Sequence, residues 1–268
     1  MKGHLLFLGS GASMGVPIIG CSCAVCTSTS PYNKRLRPSV LIQLENKNYL
    51  IDVGPDFRYQ CLHAQIDHVE GILFTHCHQD HTAGMDDLRP FHFRRKTPIP
   101  FIASKITADD IRTRFHFIFK PNAEDHQISP RLEYLPLPDK EGVVYLNDFP
   151  IHYCTYSQGE MDVNGFRMGD VAYLTDIKEY APSIFQWLQG VKTLILSCLR
   201  HTSSPLHLSV DEAVDFVRKA GVDKAWLTHI SHDLDHEKTN AYLPSHIQLA
   251  YDGLNIEFSL NKDLYERR

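Results

Sequence analysis

A dense group of metal-ligand side chains follows the short apolar run Gly71–Phe74. The next seven residues read THCHQDH, so three imidazoles and one carboxylate occupy six consecutive positions. These four ligand-type residues are His76, His78, Asp80 and His81. His76 and His78 are two residues apart and can point to the same side of the chain. Asp80 and His81 can then bind at a second metal position. Imidazole and carboxylate ligands together suit zinc, manganese or iron, and their density favours a metal-binding loop over a histidine-rich surface loop.

Three further ligand-type residues stand at the ends of apolar segments. Asp52 ends the run LID, Asp176 follows YLT and His229 follows LT. Functional side chains of α/β folds usually lie on the loops that follow strands. Each residue alone would be unremarkable, and Asp52 could be a structural carboxylate.

Strands and helices alternate along the sequence, which predicts an α/β fold. The predicted strands are His4–Leu8, Val40–Leu44, Asn48–Val53, Gly71–Phe74, Ile151–Thr155, Val171–Leu174, Thr193–Ser197 and Lys224–Leu227. The predicted helices are Asp56–Ala64, Thr107–Phe115, Tyr180–Leu188 and Val210–Ala220. Ser209 and Glu212 form a capping box at the start of the last helix, and Gly221 ends it. Asp252 and Gly253 between two apolar runs predict a terminal hairpin.

The 268 residues show no internal repeat and no linker, so we expect a single domain over residues 1–268. The stretch from Phe91 to Asp148 mixes aromatic residues, prolines and charges with weak periodicity. We interpret this stretch as an insertion near the substrate side of the domain.

The pattern His76-x-His78-x-Asp80-His81 resembles the signature of the metallo-β-lactamase superfamily. The resemblance implies a four-layer αβ/βα sandwich and two divalent active-site ions, zinc or manganese. It also implies ligand roles for residues already identified. His76 and His78 would serve one ion, Asp80, His81 and His229 the other, and Asp176 would bridge both, while Asp52 would orient the metal loop.

One ligand of that family is missing from this sequence. The family places a histidine, often followed by glycine, between the metal loop and the bridging aspartate. Here the matching segment is Tyr156–Gly159, so Gln158 stands at the histidine position. A glutamine oxygen can ligate, but it is a poorer partner for zinc than imidazole. His152 is the alternative ligand, although it lies six residues too early and belongs to a predicted strand.

A second group of metal ligands lies near the N-terminus. Cys21, Cys23 and Cys26 are three of seven cysteines, and thiols so close together in a reducing compartment suggest a metal rather than disulfides. Thiolate ligation favours a closed, structural zinc site, which needs a fourth ligand, and His232 offers one. A redox motif or a simple loop feature is the alternative.

Several segments together resemble one branch of the superfamily, the phosphoribosyl 1,2-cyclic phosphate phosphodiesterases. They are Gly9–Pro17, the cysteine triplet, Arg35–Ser39 and Thr228–His232. The resemblance implies a structural zinc held by Cys21, Cys23, Cys26 and His232. It also implies that His207, just before the capped helix, faces the substrate phosphate and donates a proton. A PQQ-biosynthesis branch has a similar cysteine loop, so the loop does not define the substrate.

The expected function is that of a metal-dependent hydrolase. A phosphodiesterase that cleaves a small cyclic phosphodiester through a metal-bound hydroxide fits best, with Asp80 and His207 as its catalytic residues. One alternative is another hydrolase of the same fold, which acts on RNA, thioesters or lactams. The other is a metal-binding accessory protein whose catalytic site is impaired, as the glutamine at position 158 could indicate.

Charge and hydropathy restrict the partners. The net charge is −5, which provides no general basic field for a nucleic acid. No window approaches the ~20 apolar residues of a membrane span, and the apolar run after His4 is too short for a secretory signal. We therefore expect a cytoplasmic protein with a small phosphodiester as its partner and without membrane attachment, and the chain could form a homodimer.

Overall fold

Two mixed seven-stranded sheets form the centre of the computed structural model, which describes residues 1–119 and 129–260. The strands, in chain order, are β1 (Lys2–Gly9), β2 (Ser39–Leu44), β3 (Lys47–Ile51), β4 (Gly71–Leu73), β5 (Ile99–Ala103), β6 (Leu132–Pro136), β7 (Glu141–Leu146), β8 (Phe149–Gln158), β9 (Met161–Met168), β10 (Val171–Leu174), β11 (Thr193–Ser197), β12 (Lys224–Thr228), β13 (Ile247–Leu249) and β14 (Asn255–Ser259). The first sheet has the order β14-β1-β2-β3-β4-β5-β6, and the second has the order β13-β12-β11-β10-β9-β8-β7.

Helices cover the outer face of each sheet. They are α1 (Phe57–His63), α2 (Gln79–Thr82), α3 (Arg89–Arg95), α4 (Lys105–Arg114), α5 (His116–Phe119), α6 (Ile184–Trp187), α7 (Val210–Ala220) and α8 (His236–Tyr242), with 3-10 turns at Pro31–Asn33 and Met85–Leu88. Buried residues of α1, α3 and α4 join the core outside the first sheet, and those of α6 and α7 join the core outside the second. The predicted αβ/βα sandwich is therefore confirmed. Within the described residues, no helix is long and apolar enough to cross a membrane.

The central core lies between the inner faces of the two sheets. Leu5 and Phe7 from β1 meet Tyr153, Phe166 and Tyr173 from the second sheet, and all five are at most 1% exposed. In β1 the alternation of exposed and buried residues follows from the two-residue period of a strand. Burial of one such side chain stabilises the fold by on the order of 1.5–3 kcal/mol. Packing of several of them between the sheets therefore fixes the position of one sheet relative to the other.

Local sequence signals located most elements correctly. Every predicted strand is present, and helix α7 has the bounds that its capping box predicts, with Ser209 Oγ accepting from the Glu212 amide and Glu212 Oε2 accepting from the Ser209 amide. The predicted helix Tyr180–Leu188 was too long, because α6 begins only at Ile184. Pro182 disfavours helical geometry in the residue before it, so the helix starts beyond that proline.

The predicted terminal hairpin at Asp252 and Gly253 was wrong. A turn is present there, but β13 pairs in parallel with β12 and β14 pairs antiparallel with β1. The turn carries the chain from the second sheet to the first. Asp252 accepts hydrogen bonds from the amide and hydroxyl of Ser10 and from the amide of Leu36, which fixes this crossover.

The stretch from Phe91 to Asp148 contributes regular structure to both sheets. It contains β5 and β6 at one edge of the first sheet and β7 at one edge of the second. Residues 120–128 of the expected insertion lie outside the described residues.

Candidate metal centre

The predicted ligands converge because the strands before them end at one edge of the sandwich. Strands β3 and β4 run in parallel, as do β10, β11 and β12, and β8 points in the same direction as β10 because β9 is antiparallel to both. Asp52 follows β3, the histidine-rich loop follows β4, Gln158 ends β8, Asp176 follows β10 and His229 follows β12. Both sheets therefore supply donors to one centre.

Close backbone packing holds the histidine-rich loop in place. A Cβ atom on Gly54 would lie only 2.1 Å from the carbonyl oxygen of Asp80, so a side chain at position 54 would displace the loop. The amide of Val53 donates to the carbonyl of His81 over 2.7 Å. The close approach of the Asp80 carbonyl requires glycine at position 54. Together with the hydrogen bond from Val53, it fixes where the loop turns.

Asp52 orients the histidine-rich loop through three hydrogen bonds. Its buried carboxylate accepts from the amide of Thr75 at 2.8 Å, from the Thr75 hydroxyl at 2.8 Å and from Nδ1 of His81 at 2.7 Å. Because Nδ1 of His81 donates to this carboxylate, Nε2 is directed toward the centre. Carboxylate–imidazole pairs of this kind fix the tautomer and orientation of a metal-ligating histidine.

Two carboxylates lie between two imidazoles at the middle of the centre. Nε2 of His81 is 3.3 Å from both Asp80 Oδ2 and Asp176 Oδ2. Nε2 of His229 is 3.4 Å from Asp80 Oδ2 and 3.3 Å from Asp176 Oδ1. Three sets have donor atoms within 4.8 Å of one another, namely Asp80-His81-His229, His76-His81-Asp176 and Asp176-His207-His229.

The chemistry of these donors fits a divalent metal ion. Nε2 of His76 is buried without a hydrogen-bond partner, and Nε2 of His81 and of His229 makes only the 3.3–3.4 Å contacts with the carboxylates. A buried nitrogen without a partner is costly, and here all three accompany carboxylates that can also ligate. Nitrogen and carboxylate oxygen from several loops form the usual ligand set of zinc and manganese sites.

The charges of the centre are strongly coupled. Burial opposes protonation of His81 and His229, yet the carboxylates of Asp80 and Asp176 raise the pKa of both imidazoles above the usual value. Burial would raise the pKa of Asp176, but the His229 and His81 imidazoles hold it well below the usual range. Without an ion, the carboxylates are balanced by imidazole protons, which a divalent cation can displace. Metal binding should therefore release protons.

His76 and His78 lie beside this group. His76 is fully buried, and its ring centroid is 4.7 Å from that of His78 and 4.1 Å from that of His81. Burial lowers the pKa of both His76 and His78, which leaves them neutral and able to ligate. Among the described residues, His78 joins none of the three sets of close donors.

Gln158, rather than His152, reaches the centre. The Gln158 side chain is buried, and its Nε2 lies 3.0 Å from Asp176 Oδ1. His152 precedes it on β8 by six residues, roughly 20 Å along a strand. It lines a separate cavity together with Trp187 and Ser183.

His207, the proton donor that the resemblance implies, stands at the side of the centre. It lies on the loop between β11 and α7, with its ring stacked on that of His229 at a centroid distance of 5.1 Å. Nδ1 of His207 is 3.6 Å from Asp176 Oδ1. Burial and the neighbouring His229 lower the pKa of His207 to about 4, so its ring is neutral in the free protein at pH 7.

The cysteine triplet and His232 form a second, separate cage. The sulfur atoms of Cys21, Cys23 and Cys26 lie 3.3, 3.5 and 3.5 Å from Nδ1 of His232. Zinc bonded to sulfur and nitrogen in a tetrahedron would separate these atoms by about 3.5 Å. The amide of Cys26 lowers the pKa of Cys23 to about 6, while burial raises the pKa of Cys26 to about 11. Distances and donor types therefore fit a structural zinc.

We expect one tightly held zinc in the cysteine cage of each chain, because a closed thiolate site releases its ion slowly. After mild chelation, elemental analysis should find about one zinc per chain, with Cys21, Cys23 and Cys26 protected from alkylation. Exposed thiols together with an absence of zinc would contradict this assignment.

Two features of the centre were missed in the sequence. A threonine precedes three of the ligands, in Thr75-His76, Thr175-Asp176 and Thr228-His229, and all three threonines are fully buried. The Thr175 hydroxyl donates to Asp176 Oδ2 at 2.7 Å. A repeated threonine–ligand pair at strand ends was a readable signal.

The second missed feature is backbone geometry. Asp52, Asp176 and His229 have φ values of 63°, 53° and 58°, in the left-handed region. Residues with side chains rarely adopt such angles, and those that do cluster at functional sites. No sequence signal marks these three residues, because none of them is glycine.

Comparison with known proteins supports one family. A family model described as the beta-lactamase superfamily domain matches residues 47–230. The crystal structure of a diphosphatase from the PhnP family is 40% identical, with a TM-score of 0.90, and the match covers 97% of this chain and 98% of that one. The structure of Zn²⁺-bound PqqB from Methylobacterium extorquens is 16% identical with a TM-score of 0.74, over 94% of this chain and 99% of that one, and shows the shared fold.

A longer relative carries a different name. An octanoyltransferase from Porphyromonas gingivalis is 36% identical over 253 residues, which are 93% of this chain and 50% of that protein. The chain thus spans about half the length of this curated relative, and the activity in its name belongs to the whole protein. Taken with the convergent donors, the matched family model and the full-length structural relative show that this chain belongs to the metallo-β-lactamase superfamily of hydrolases and, within it, to the PhnP family.

Proposed function

We propose that this protein is a metal-dependent phosphodiesterase that hydrolyses a small, preferably cyclic, phosphodiester. The observation that carries the proposal is the convergence of Asp80, His81, Asp176 and His229 on one buried centre, with the imidazole of His207 at its side. A centre of this kind suits an anionic phosphorus substrate, because cations neutralise the negative charge that develops on phosphoryl oxygens.

We propose that the ligands would divide between two metal positions. Asp80, His81 and His229 would hold one ion, His76 and His78 the other, and Asp176 would contact both, consistent with its place between two imidazoles. Divalent ions in such a site act as Lewis acids and lower the pKa of water into the neutral range. The carboxylates of Asp80 and Asp176 would hold the metal ions in place through their negative charge. Asp52 and Thr75 hold the loop that carries the ligands.

His207 would supply the proton for the leaving oxygen. It is neutral in the free protein, since burial lowers its pKa to about 4. An anionic substrate beside the ring favours the charged imidazolium and raises that pKa. His207 would thus gain its proton together with the substrate and give it to the departing alkoxide.

Hydrolysis of a diphosphate is the second candidate. The observation that favours it is the description of the 40% identical structure as a diphosphatase. A phosphate leaving group is less basic than an alkoxide and needs less proton donation. The two reactions therefore place different demands on the same imidazole.

The test is turnover by metal-loaded protein on a matched substrate panel. The panel contains a five-membered cyclic phosphodiester, a linear dialkyl phosphodiester and an organic diphosphate, each with Mn²⁺ or Zn²⁺. We expect the cyclic diester to be hydrolysed fastest, and chelation to stop the reaction until metal returns. Faster cleavage of the diphosphate would establish the second candidate. Full metal content without turnover on any substrate would contradict both and support the accessory-protein alternative.

A further inference from the structure

The amide nitrogen of Gln158 lies close to the carboxylate of Asp176 and to the ring of His207. Nε2 lies 3.0 Å from Asp176 Oδ1 and 3.3 and 3.2 Å from Nδ1 and Nε2 of His207. A carboxylate oxygen only accepts, so the atom of Gln158 that faces it must donate. The carbonyl oxygen in its place would face the negative charge of Asp176. The contacts therefore fix which end of the amide points to the centre.

An amide nitrogen in this position has no electron pair for a metal ion. Its two hydrogens can serve one oxygen of Asp176 and one ring nitrogen of His207. Those acceptors come from different loops, one after β10 and the other before α7. Gln158 thus connects a shared metal ligand to the expected proton donor.

The backbone around Gln158 supports this fixed position. Gln158 pairs with Met161 at the end of the β8–β9 ladder, and Gly159 follows with a φ of 59°. A Cβ atom on Gly159 would lie 3.1 Å from Leu206, the neighbour of His207. The end of β8 therefore lies against the His207 loop through both its backbone and its side chain.

We propose that Gln158 is a positioning residue rather than a metal ligand, and that the metal position beside it is completed by an oxygen of the substrate's phosphoryl group. This second step rests on the proposed function. Gln158 holds Asp176 in place through one N–H group and, in the free protein, the neutral ring of His207 through the other. The metal position of His76 and His78 then has one protein donor fewer than the position of Asp80, His81 and His229.

The difference in ligand number has a thermodynamic consequence. Zinc sites that bind substrate keep three protein ligands and an open position, whereas a fourth protein ligand closes the site. An oxyanion in the open position strengthens binding of the ion beside it, and by linkage the ion strengthens binding of the oxyanion to the same extent. The weaker ion should therefore bind more tightly when phosphate is present.

Metal titrations of Gln158→Leu, Gln158→His and wild type, with and without inorganic phosphate, test the proposal. Chelated protein that retains its cysteine-cage zinc is titrated with Mn²⁺ by calorimetry. In wild type, saturating phosphate should tighten the weaker ion at least tenfold. Gln158→Leu should keep both metal affinities within about threefold of wild type. Gln158→His should tighten the weaker ion at least tenfold without phosphate and lose most of the phosphate effect.

Either of two results would overturn the proposal. If Gln158→Leu lost one ion, Gln158 would be a metal ligand. If phosphate had no effect on metal binding in wild type, the metal position would have no open place for a phosphoryl oxygen. A circular-dichroism spectrum identical to wild type excludes misfolding, and Gln189→Leu, at an exposed glutamine, is the matched control. Gln158→Leu should also lower kcat more than it changes KM on the cyclic diester, because the His207 ring is no longer held beside Asp176. The titrations need no turnover, so a failed substrate panel leaves the assignment of Gln158 decided.

Discussion

Asp176→Asn should lower kcat/KM by about 10³-fold or more. Asp176 lies between the imidazoles of His81 and His229, accepts from Gln158 and is the expected shared ligand of both ions. Asparagine keeps the shape but removes the charge that attracts the cations. Because Lewis-acid stabilisation contributes several kcal/mol and each 1.36 kcal/mol is tenfold in rate, the loss should be of this order.

Steady-state kinetics and metal analysis on the same sample check this expectation. Asp176→Asn should bind less metal than wild type while its near-UV circular dichroism is unchanged. His78→Ala should have a similar effect on activity with less risk to folding, since the His78 side chain is exposed. Asp223→Asn, at an exposed aspartate, controls for a general charge effect. Wild-type turnover in a variant that has lost its metal would refute the ligand assignment.

His207→Ala should reduce turnover by roughly 10²–10⁴ on substrates with alkoxide leaving groups. Metal content should not change, because His207 is assigned to proton transfer. A nitrophenolate leaving group needs little protonation, so its loss should be much smaller. His201→Ala, on the same loop but hydrogen-bonded to Tyr242, is the matched control. Equal losses on both substrates would instead make His207 a binding residue.

The pH profile gives an independent readout for His207. The protonated ring is the active form, so its contribution is lost as pH rises through its pKa. Burial lowers that pKa to about 4 in the free protein, and the bound anion raises it in the complex. The alkaline limb of kcat should therefore lie at higher pH than that of kcat/KM, and His207→Ala should remove it from both.

Local patterns located several candidate ligands, because the histidine-rich loop, Asp176 and His229 each follow an apolar strand. The superfamily resemblance gave Asp176 and His229 their ligand roles, and the structure brings both residues to the centre. Local patterns do not determine which strands pair with each other. The turn at Gly253 is encoded locally, but the partner of β14 depends on the inner face that Ile256 and Phe258 share with β1.

The orientation of individual side chains was harder to predict from the sequence. The alignment of the Tyr156–Gly159 segment found the position of Gln158, but not which end of its amide faces Asp176. That orientation follows from acceptors on two loops that are distant in sequence. The left-handed backbone at Asp52 is likewise set by surrounding contacts, since glycine would be the locally favoured residue there.

The pairing of β1 with β14 has a consequence for the order of folding. Leu5 pairs with Ile256, so β1 acquires its outer neighbour only after all the other described strands have been synthesised. Until then, β1 presents unpaired backbone groups along one side, the type of edge that recruits foreign strands. Contacts between such distant residues also form slowly. During translation, the first sheet should therefore remain open at this edge until β14 has been synthesised, and it is prone to association in that interval.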